Sequence, residues 1–257
     1  MNGFRSATSP IVIAHRGASA YAPENTLAAF RLAADQGAQA VELDAKLSLD
    51  GQVVVIHDQT VERTTGAKGV VIAMTLAEMK ALDAGSFMGA QFRGEPIPTL
   101  EEVFAEVGQR LFINVELTNY TSPGDRLVER VAGLVRKYRL EERVIFSSFH
   151  PLNLLRARLL LPEVPRAILA EPGRKGRWAR SFWLKLLAPE MVNPYFSDAD
   201  SRFMAQQRRY GRRVYPWTVD DPAEMTRLVR LGASGIITND PIVGLRAVAS
   251  SAEAGLG

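Results

Sequence analysis

The sequence predicts a (β/α)₈ barrel of the α/β class, and three observations carry that expectation. The chain has 257 residues, the size of one such barrel. Read in order, it alternates short apolar runs with amphipathic segments, and eight strand positions can be placed with no low-complexity linker between them. After the first strand comes His15-Arg16-Gly17, where an open doubly wound sheet would carry a glycine-rich dinucleotide turn. Residues 1–257 are therefore read as one domain.

Each element has its own justification. Ile11 to Ala14 is a short buried strand, and Asn25 to Gln36 is a helix with Leu27, Phe30 and Ala34 on one side and Gly37 as its stop. In the next strand Glu42 and Asp44 project from one face. Asp50-Gly51 is the preferred pair for a two-residue hairpin turn, and β-branched Val53 to Ile56 makes the antiparallel return. That turn sets Asp44 opposite His57 and Glu42 opposite Gln59. Gln59 to Pro98 is irregular and glycine-rich, contains a short helix from Leu76 to Leu82, and reads as a small insertion after the second strand. Thr99 to Glu102 is a capping box that opens a helix running through Val107. Strands Leu111 to Leu117, Val144 to Ser147, Ala167 to Ala170, Met191 to Asn193, Val214 to Trp217 and Gly235 to Thr238 complete the set. Helices Asp125 to Tyr138, Leu152 to Leu161, Ser201 to Tyr210, Pro222 to Leu231 and Ile242 to Val248 lie among them.

Composition removes several classes of function. There is no cysteine, so disulfides, thiolate metal sites and a cysteine nucleophile are excluded. The formal net charge of +3 suits a small anion better than a nucleic acid, and the pairs Arg208-Arg209 and Arg212-Arg213 come without a stacking platform. The N-terminus has no apolar signal region and no run spans a membrane, which gives a cytoplasmic expectation. Gly173 to Leu187 mixes Trp178, Phe182, Trp183 and Leu186 with Arg180 and Lys185. It reads as an outer barrel helix, with an interfacial helix touching membrane as the lesser alternative.

A barrel places its chemistry at the C-terminal ends of its strands. Those ends carry His15-Arg16, Glu42 and Asp44, Glu116, Ser147-Ser148, Glu171, Asn193 and Trp217, with His57 closing the hairpin. Three carboxylates form a site for a hard divalent cation, Mg²⁺ or Ca²⁺ rather than zinc. Arg16 and the cation neutralise a phosphoryl group, while His15 and His57, titrating near neutrality, move protons. Trp217 lines the pocket, and Asn25 supports His15 or caps the first helix. His150 is a loop residue, and Asp240-Pro241 opens the last helix. The residues alone thus read as metal-assisted phosphoester hydrolysis.

The order His15-Arg16-Gly17, Glu24-Asn25-Thr26, Glu42-x-Asp44 and His57-Asp58 resembles the glycerophosphodiester phosphodiesterase family. The likeness continues through Arg63 to Gly66, Leu82 to Gly85, Ile97 to Leu100, Asn114 to Glu116, Ser147 to Phe149, Trp217 to Val219 and Gly235 to Thr238. The resemblance implies a distorted (β/α)₈ barrel with a small inserted subdomain. It implies a divalent cation on Glu42, Asp44 and Glu116, acid/base roles for His15 and His57, and a phosphate contact from Arg16. It also implies hydrolysis of diesters such as glycerophosphocholine or glycerophosphoethanolamine to glycerol 3-phosphate and an alcohol, by a monomer or homodimer. The alternatives are a lysophospholipase D with the same site and a catalytically silent phosphodiester-binding barrel. One position departs: the family usually has lysine two residues after the third acid, and here Thr118 stands there. Arg174, Lys175 and Arg177 are the candidates to replace it.

Overall fold

In the computed structural model, residues 3–181 and 190–254 are described. The barrel is built from β1 (Ile11–His15), β2 (Ala40–Leu47), β4 (Phe112–Leu117), β5 (Val144–Ser148), β6 (Arg166–Ala170), β7 (Met191–Pro194), β8 (Arg213–Val214) and β9 (Gly235–Thr238), with β3 (Val53–Val55) pairing antiparallel on β2. All other ladders are parallel, in the order β8-β7-β6-β5-β4-β2-β1-β9. Three backbone hydrogen bonds close the ring between its ends. Ser234 N–H donates to Val214 O, Ile237 N–H to Pro216 O and Val219 N–H to Ile237 O, over 2.9–3.0 Å. The β7–β8 ladder stops early because Pro194 has no N–H to donate to β8, although Tyr215 and Trp217 still donate to β7, and Pro216 likewise offers β9 no N–H.

Alternation along the strands sorts side chains into two cores. Ile11, Ile13, Ala40, Ile145, Ala167, Met191, Tyr215 and Ile237 fill the barrel interior. Val12, Val41, Leu43, Ala45, Ile113, Val115, Val192 and Ile236 face the helices outside. Those helices are α2 (Leu27–Asp35), α5 (Leu100–Val107), α6 (Leu127–Tyr138), α7 (Pro151–Leu160), α8 (Ser201–Arg209), α9 (Pro222–Arg230) and α10 (Pro241–Ala254). Thr99 forms the expected capping box of α5. His150 caps α7 by accepting the Leu152 N–H, and Asp240 accepts the Val243 N–H at the start of α10. In α2 the buried face is Ala29, Phe30 and Ala33, one step round from the expected stripe, and Thr26 is its cap.

A short N-terminal helix, α1 (Gly3–Ser6), has no counterpart in the sequence reading. It seats fully buried Phe4 against Phe112 and Tyr215 as an edge-on plug, with ring centroids 5.9 and 6.0 Å away. The arginine pairs that suggest nucleic acid are partly spent on architecture. Arg208 and Arg213 donate to backbone carbonyls, and Arg212 is buried.

The segment after β3 packs its own small core of Val61, Val71, Met79, Ala84 and Ile97 against Val54 and Ile56. It contains α3 (Glu62–Thr65) and α4 (Leu76–Lys80). This segment also corrects the expected hairpin. The observed register sets Ala45 against Val55 and Leu47 against Val53, one residue away from the two-residue turn, so Asp44 bonds to Ile56 rather than facing His57. The loop is Leu49–Gly51, with Gly51 at φ +74° and its N–H on Ser48 O. Ser48 Oγ joins Asp50 to the Gln52 N–H, Asp50 accepts the Leu76 N–H of α4, and Leu49 N–H donates to Met74 O. The inserted segment therefore holds the longer loop in place.

Truncating the plug tests how much the barrel floor depends on α1. Phe4→Ala is expected to cost about 3 kcal/mol, seen as a lower urea midpoint at unchanged slope.

Candidate active site

The mouth of the barrel brings the predicted residues together. Strand registers pair His15 with Glu42 and Asp44 with Glu116, so four inward-facing side chains stand side by side on β1, β2 and β4. A cavity of about 60 Å³ is lined by His15, Arg16, Glu42, His57, Asn114, Glu116, Phe149, Leu169, Trp217 and Ile237. His57 reaches it from beyond the end of β3 despite the shifted register. A larger open groove of about 600 Å³ lies outside the barrel along α5 and α6, but its Glu101 and Glu102 are already paired with Lys137 and Lys80. The chemistry is in the smaller cavity.

Glu42, Asp44 and Glu116 each offer one oxygen, and these lie within 4.8 Å of one another. Burial, and then the charges of Asp44 and Glu116, push the Glu42 carboxyl well above its usual range; burial and the Asp44 charge push Glu116 up to about 8. Glu42 Oε1 is buried with no hydrogen-bond partner. An unpartnered carboxylate oxygen inside a self-repelling acidic trio fits a hard cation, so these residues could hold a metal ion.

Neighbours fix the orientation of each acid. Asn25 donates from Nδ2 to Asp44 Oδ2 at 2.9 Å, so it neither supports His15 nor caps α2, as the sequence reading expected. Tyr120 donates to Glu116 Oε1. Backbone N–H of Arg16 donates to Glu42 O and Oε2. That last contact requires Arg16 at φ +57°, and the following turn requires glycine: at Gly17, φ +86°, a Cβ would come within 2.6 Å of Ala29 Cβ.

The two imidazoles have different supports. His15 Nδ1 is 2.7 Å from Asn239 Oδ1. The amide cannot turn over, because Asn239 Nδ2 donates to Asp220 Oδ2 and Ser19 Oγ donates to Asn239 Oδ1. Nδ1 therefore carries the proton and Nε2, 3.8 Å from Glu42 Oε2, keeps its lone pair. Burial, then the Arg16 charge, lower His15 to about 4, which leaves it neutral at pH 7. His57 instead has a carboxylate behind it, with Nδ1 2.6 Å from Asp58 Oδ1.

Arg16 is held by Glu24 at 2.9 Å and lies 3.3 Å from Asp44. Arg63 of α3 binds Glu24 through both Nη atoms and Asp58 through Nε. A continuous chain of charges thus runs from His57 through Asp58, Arg63, Glu24 and Arg16 to Asp44. Burial alone would raise Glu24 and Asp58, but hydrogen bonds from Arg63 outweigh it and hold both at about 2.

The opposite wall is aromatic. Tyr120, Phe149, Trp217 and Tyr195 meet edge to face with centroids 5.8, 5.5 and 5.5 Å apart in turn. Trp217 Nε1 donates to Asn193 O, so the ring offers the pocket an apolar surface only. The departure at Thr118 also finds its partner here. Lys46 donates to Thr118 Oγ1 at 2.8 Å and to Thr118 O at 3.3 Å. Arg174, Lys175 and Arg177 are exposed. Phe182, Trp183, Lys185 and Leu186, which carried both readings of the aromatic segment, lie outside the described residues; Trp178 is 47% exposed. Asn239, Tyr120 and Lys46 were not singled out from sequence, whereas Arg63 opens one of the motifs that carry the family resemblance. Of those three, Asn239 alone had a signal, standing directly after the last strand.

An α/β barrel with acids and imidazoles gathered at its C-terminal mouth belongs to the class of barrel hydrolases. The model of the glycerophosphoryl diester phosphodiesterase family matches residues 15–243, and the chain belongs to that family of enzymes. It is similar to a glycerophosphodiester phosphodiesterase of Caldanaerobacter subterraneus subsp. tengcongensis, 38% identical over 90% of this chain and 94% of the relative. Among solved structures, an Oleispira antarctica phosphodiesterase in complex with the product sn-glycerol-3-phosphate is 31% identical. It superposes at a TM-score of 0.84 over 94% of this chain and 97% of that one. A glycerophosphodiester phosphodiesterase from Agrobacterium tumefaciens superposes at 0.79 with 27% identity, over 92% and 99% of the two chains. Among the described residues, no helix is long and apolar enough to cross a membrane.

The charge chain has a pH signature. Both carboxyls titrate lower when folded, so their contribution is complete above about pH 4.5 and is lost as pH falls through about 2. The stability difference between wild type and Arg63→Met, measured by urea unfolding, should therefore shrink steadily from pH 5 toward pH 2.

Proposed function

We propose that the protein hydrolyses glycerophosphodiesters to glycerol 3-phosphate and an alcohol in a reaction that depends on Mg²⁺ or Ca²⁺. The observation that carries this reading is the convergence of Glu42, Asp44 and Glu116 within 4.8 Å of one another, with Glu42 and Glu116 lining a cavity that both imidazoles also line. Glu42, Asp44 and Glu116 would hold the ion, which when bound supplies Lewis-acid neutralisation of the phosphoryl oxygens. Arg16, kept charged by Glu24 and Asp44, adds a positive group beside them.

The proton carriers follow from their supports. Neutral His15, with its Nδ1 proton committed to Asn239, takes a proton at Nε2 from the attacking water. His57, held at Nδ1 by Asp58 Oδ1, gives a proton from Nε2 to the departing alcohol oxygen. The new P–O bond forms on the His15 side as the ester P–O bond breaks on the His57 side. Trp217 and Phe149 give the organic part of the diester an apolar wall. The chain is proposed to act as a single cytoplasmic domain with residues 59–98 as an insertion, on small diesters rather than nucleic acid.

The test is a substrate panel run with metal titration. Glycerophosphocholine should be cleaved with added Mg²⁺ or Ca²⁺ and not with chelator. A strong preference for lysophosphatidylcholine would replace this reading with the lysophospholipase D one. His57→Ala and His15→Ala should each lower kcat by about 10²–10⁴-fold, and equal activity in wild type and His57→Ala would overturn the proposal. Asn239→Ala, which frees the His15 tautomer, should lower kcat by about 10–100-fold at nearly constant KM.

A further inference from the structure

Lys46 is a charged side chain beside the catalytic cavity that the mechanism above leaves unused. It lies on β2 two residues after Asp44, on the same inward face, and is 5% exposed. Its hydrogen bonds go to the hydroxyl and carbonyl oxygens of Thr118, both neutral. It forms no ion pair among the described residues, whereas Arg16 and Arg63 form two each. An ammonium taken out of water and paired with no carboxylate carries a large desolvation cost. Packing does not require such a group: a methionine would fill similar space at less cost. Burial lowers its pKa, and the charges of Asp44, Glu116 and Asp58 oppose that, so it belongs electrically to the site.

The charges of the mouth say what it is for. Glu24, Glu42, Asp44, Asp58 and Glu116 are five carboxylates, and Arg16 and Arg63 are two guanidiniums. A divalent ion leaves that set one charge negative, and an anionic ligand would be repelled. The Lys46 ammonium brings the set to neutral.

We infer that Lys46 is a phosphate-recognition residue of this enzyme: a buried ammonium, seated on Thr118, whose charge lets the cation-loaded mouth accept an anionic phosphoryl group. The inference rests on the proposed phosphodiester chemistry for its biological meaning. Its test measures binding and needs no turnover.

Calorimetry on the Ca²⁺-loaded full chain, with inorganic phosphate and with glycerol 3-phosphate as titrants, compares wild type, Lys46→Gln, Lys46→Met and Lys46→Met/Thr118→Lys. Ca²⁺ is titrated separately into each metal-free protein. Lys46→Gln keeps a polar group for Thr118 and loses only the charge. Phosphate affinity should fall about 10–100-fold in Lys46→Gln and Lys46→Met, less steeply at high salt, while Ca²⁺ affinity holds or tightens because a nearby cation has gone. Returning the ammonium from β4 in the double variant should recover most of the phosphate affinity. Three results would overturn the inference: unchanged phosphate affinity in Lys46→Gln, full rescue of phosphate binding by glutamine where methionine fails, or Ca²⁺ and phosphate affinities falling together. If wild type cleaves no glycerophosphodiester yet Lys46→Gln loses phosphate binding, the proposed function fails and the role of Lys46 stands.

Discussion

Three carboxylates occupy one buried volume at the mouth of this barrel, and their mutual repulsion is the constraint around which the rest is arranged. Two adjacent parallel strands in register place Asp44 beside Glu116, and alternation along β2 adds Glu42 to the same face. Carboxylates so placed cannot all be charged without compensation, as the raised Glu42 and Glu116 show. The compensation comes from several elements at once. Arg16 takes a left-handed backbone to bring its N–H to Glu42, Tyr120 bonds to Glu116 from the loop after β4, and Asn25 bonds to Asp44 from the loop before α2.

The inserted segment serves the same end from outside the ring. Arg63 binds Glu24 and Asp58 together, so the segment that carries His57 is locked to the loop that carries Arg16. The same segment, through α4 and Met74, sets the length of the β2–β3 loop. A piece of chain with little regular structure thereby fixes where the second imidazole stands relative to the acids. His15, by contrast, is oriented through Asn239 directly after β9, which Asp220 of the loop after β8 and Ser19 hold in turn.

Much of the fold was legible because period-2 and helical patterns are local. The eight barrel strands lie where apolar runs place them, and Thr99, His150 and Asp240 do what cap and loop chemistry says. The hairpin register was not legible: Asp50-Gly51 favours the shorter loop, and the contacts that select the longer one come from Met74 and Leu76, more than twenty residues on. Helix α1 was missed because Gly3 to Ser6 carries no periodicity, and its anchor is Phe4 on Tyr215 at the far end of the chain. Within the site, the acids and histidines announced themselves by type and strand position. Tyr120 and Lys46 did not, since a loop tyrosine and a strand lysine look like surface until the fold shows what lies within reach.

The aromatic arc of Tyr120, Phe149, Trp217 and Tyr195 starts beside Glu116 at the end of β4 and continues round the opening past β5, β7 and β8, while the other charged residues come from β1, β2 and the segment after β3. The entrance is thus amphipathic from side to side rather than from rim to floor. A molecule with one ionic and one oily end can enter in one heading only, and reversing it would press the oily end on bare acids and the ionic end on ring faces. Selectivity for which end is presented first is therefore written into the rim itself, before any group is recognised in detail.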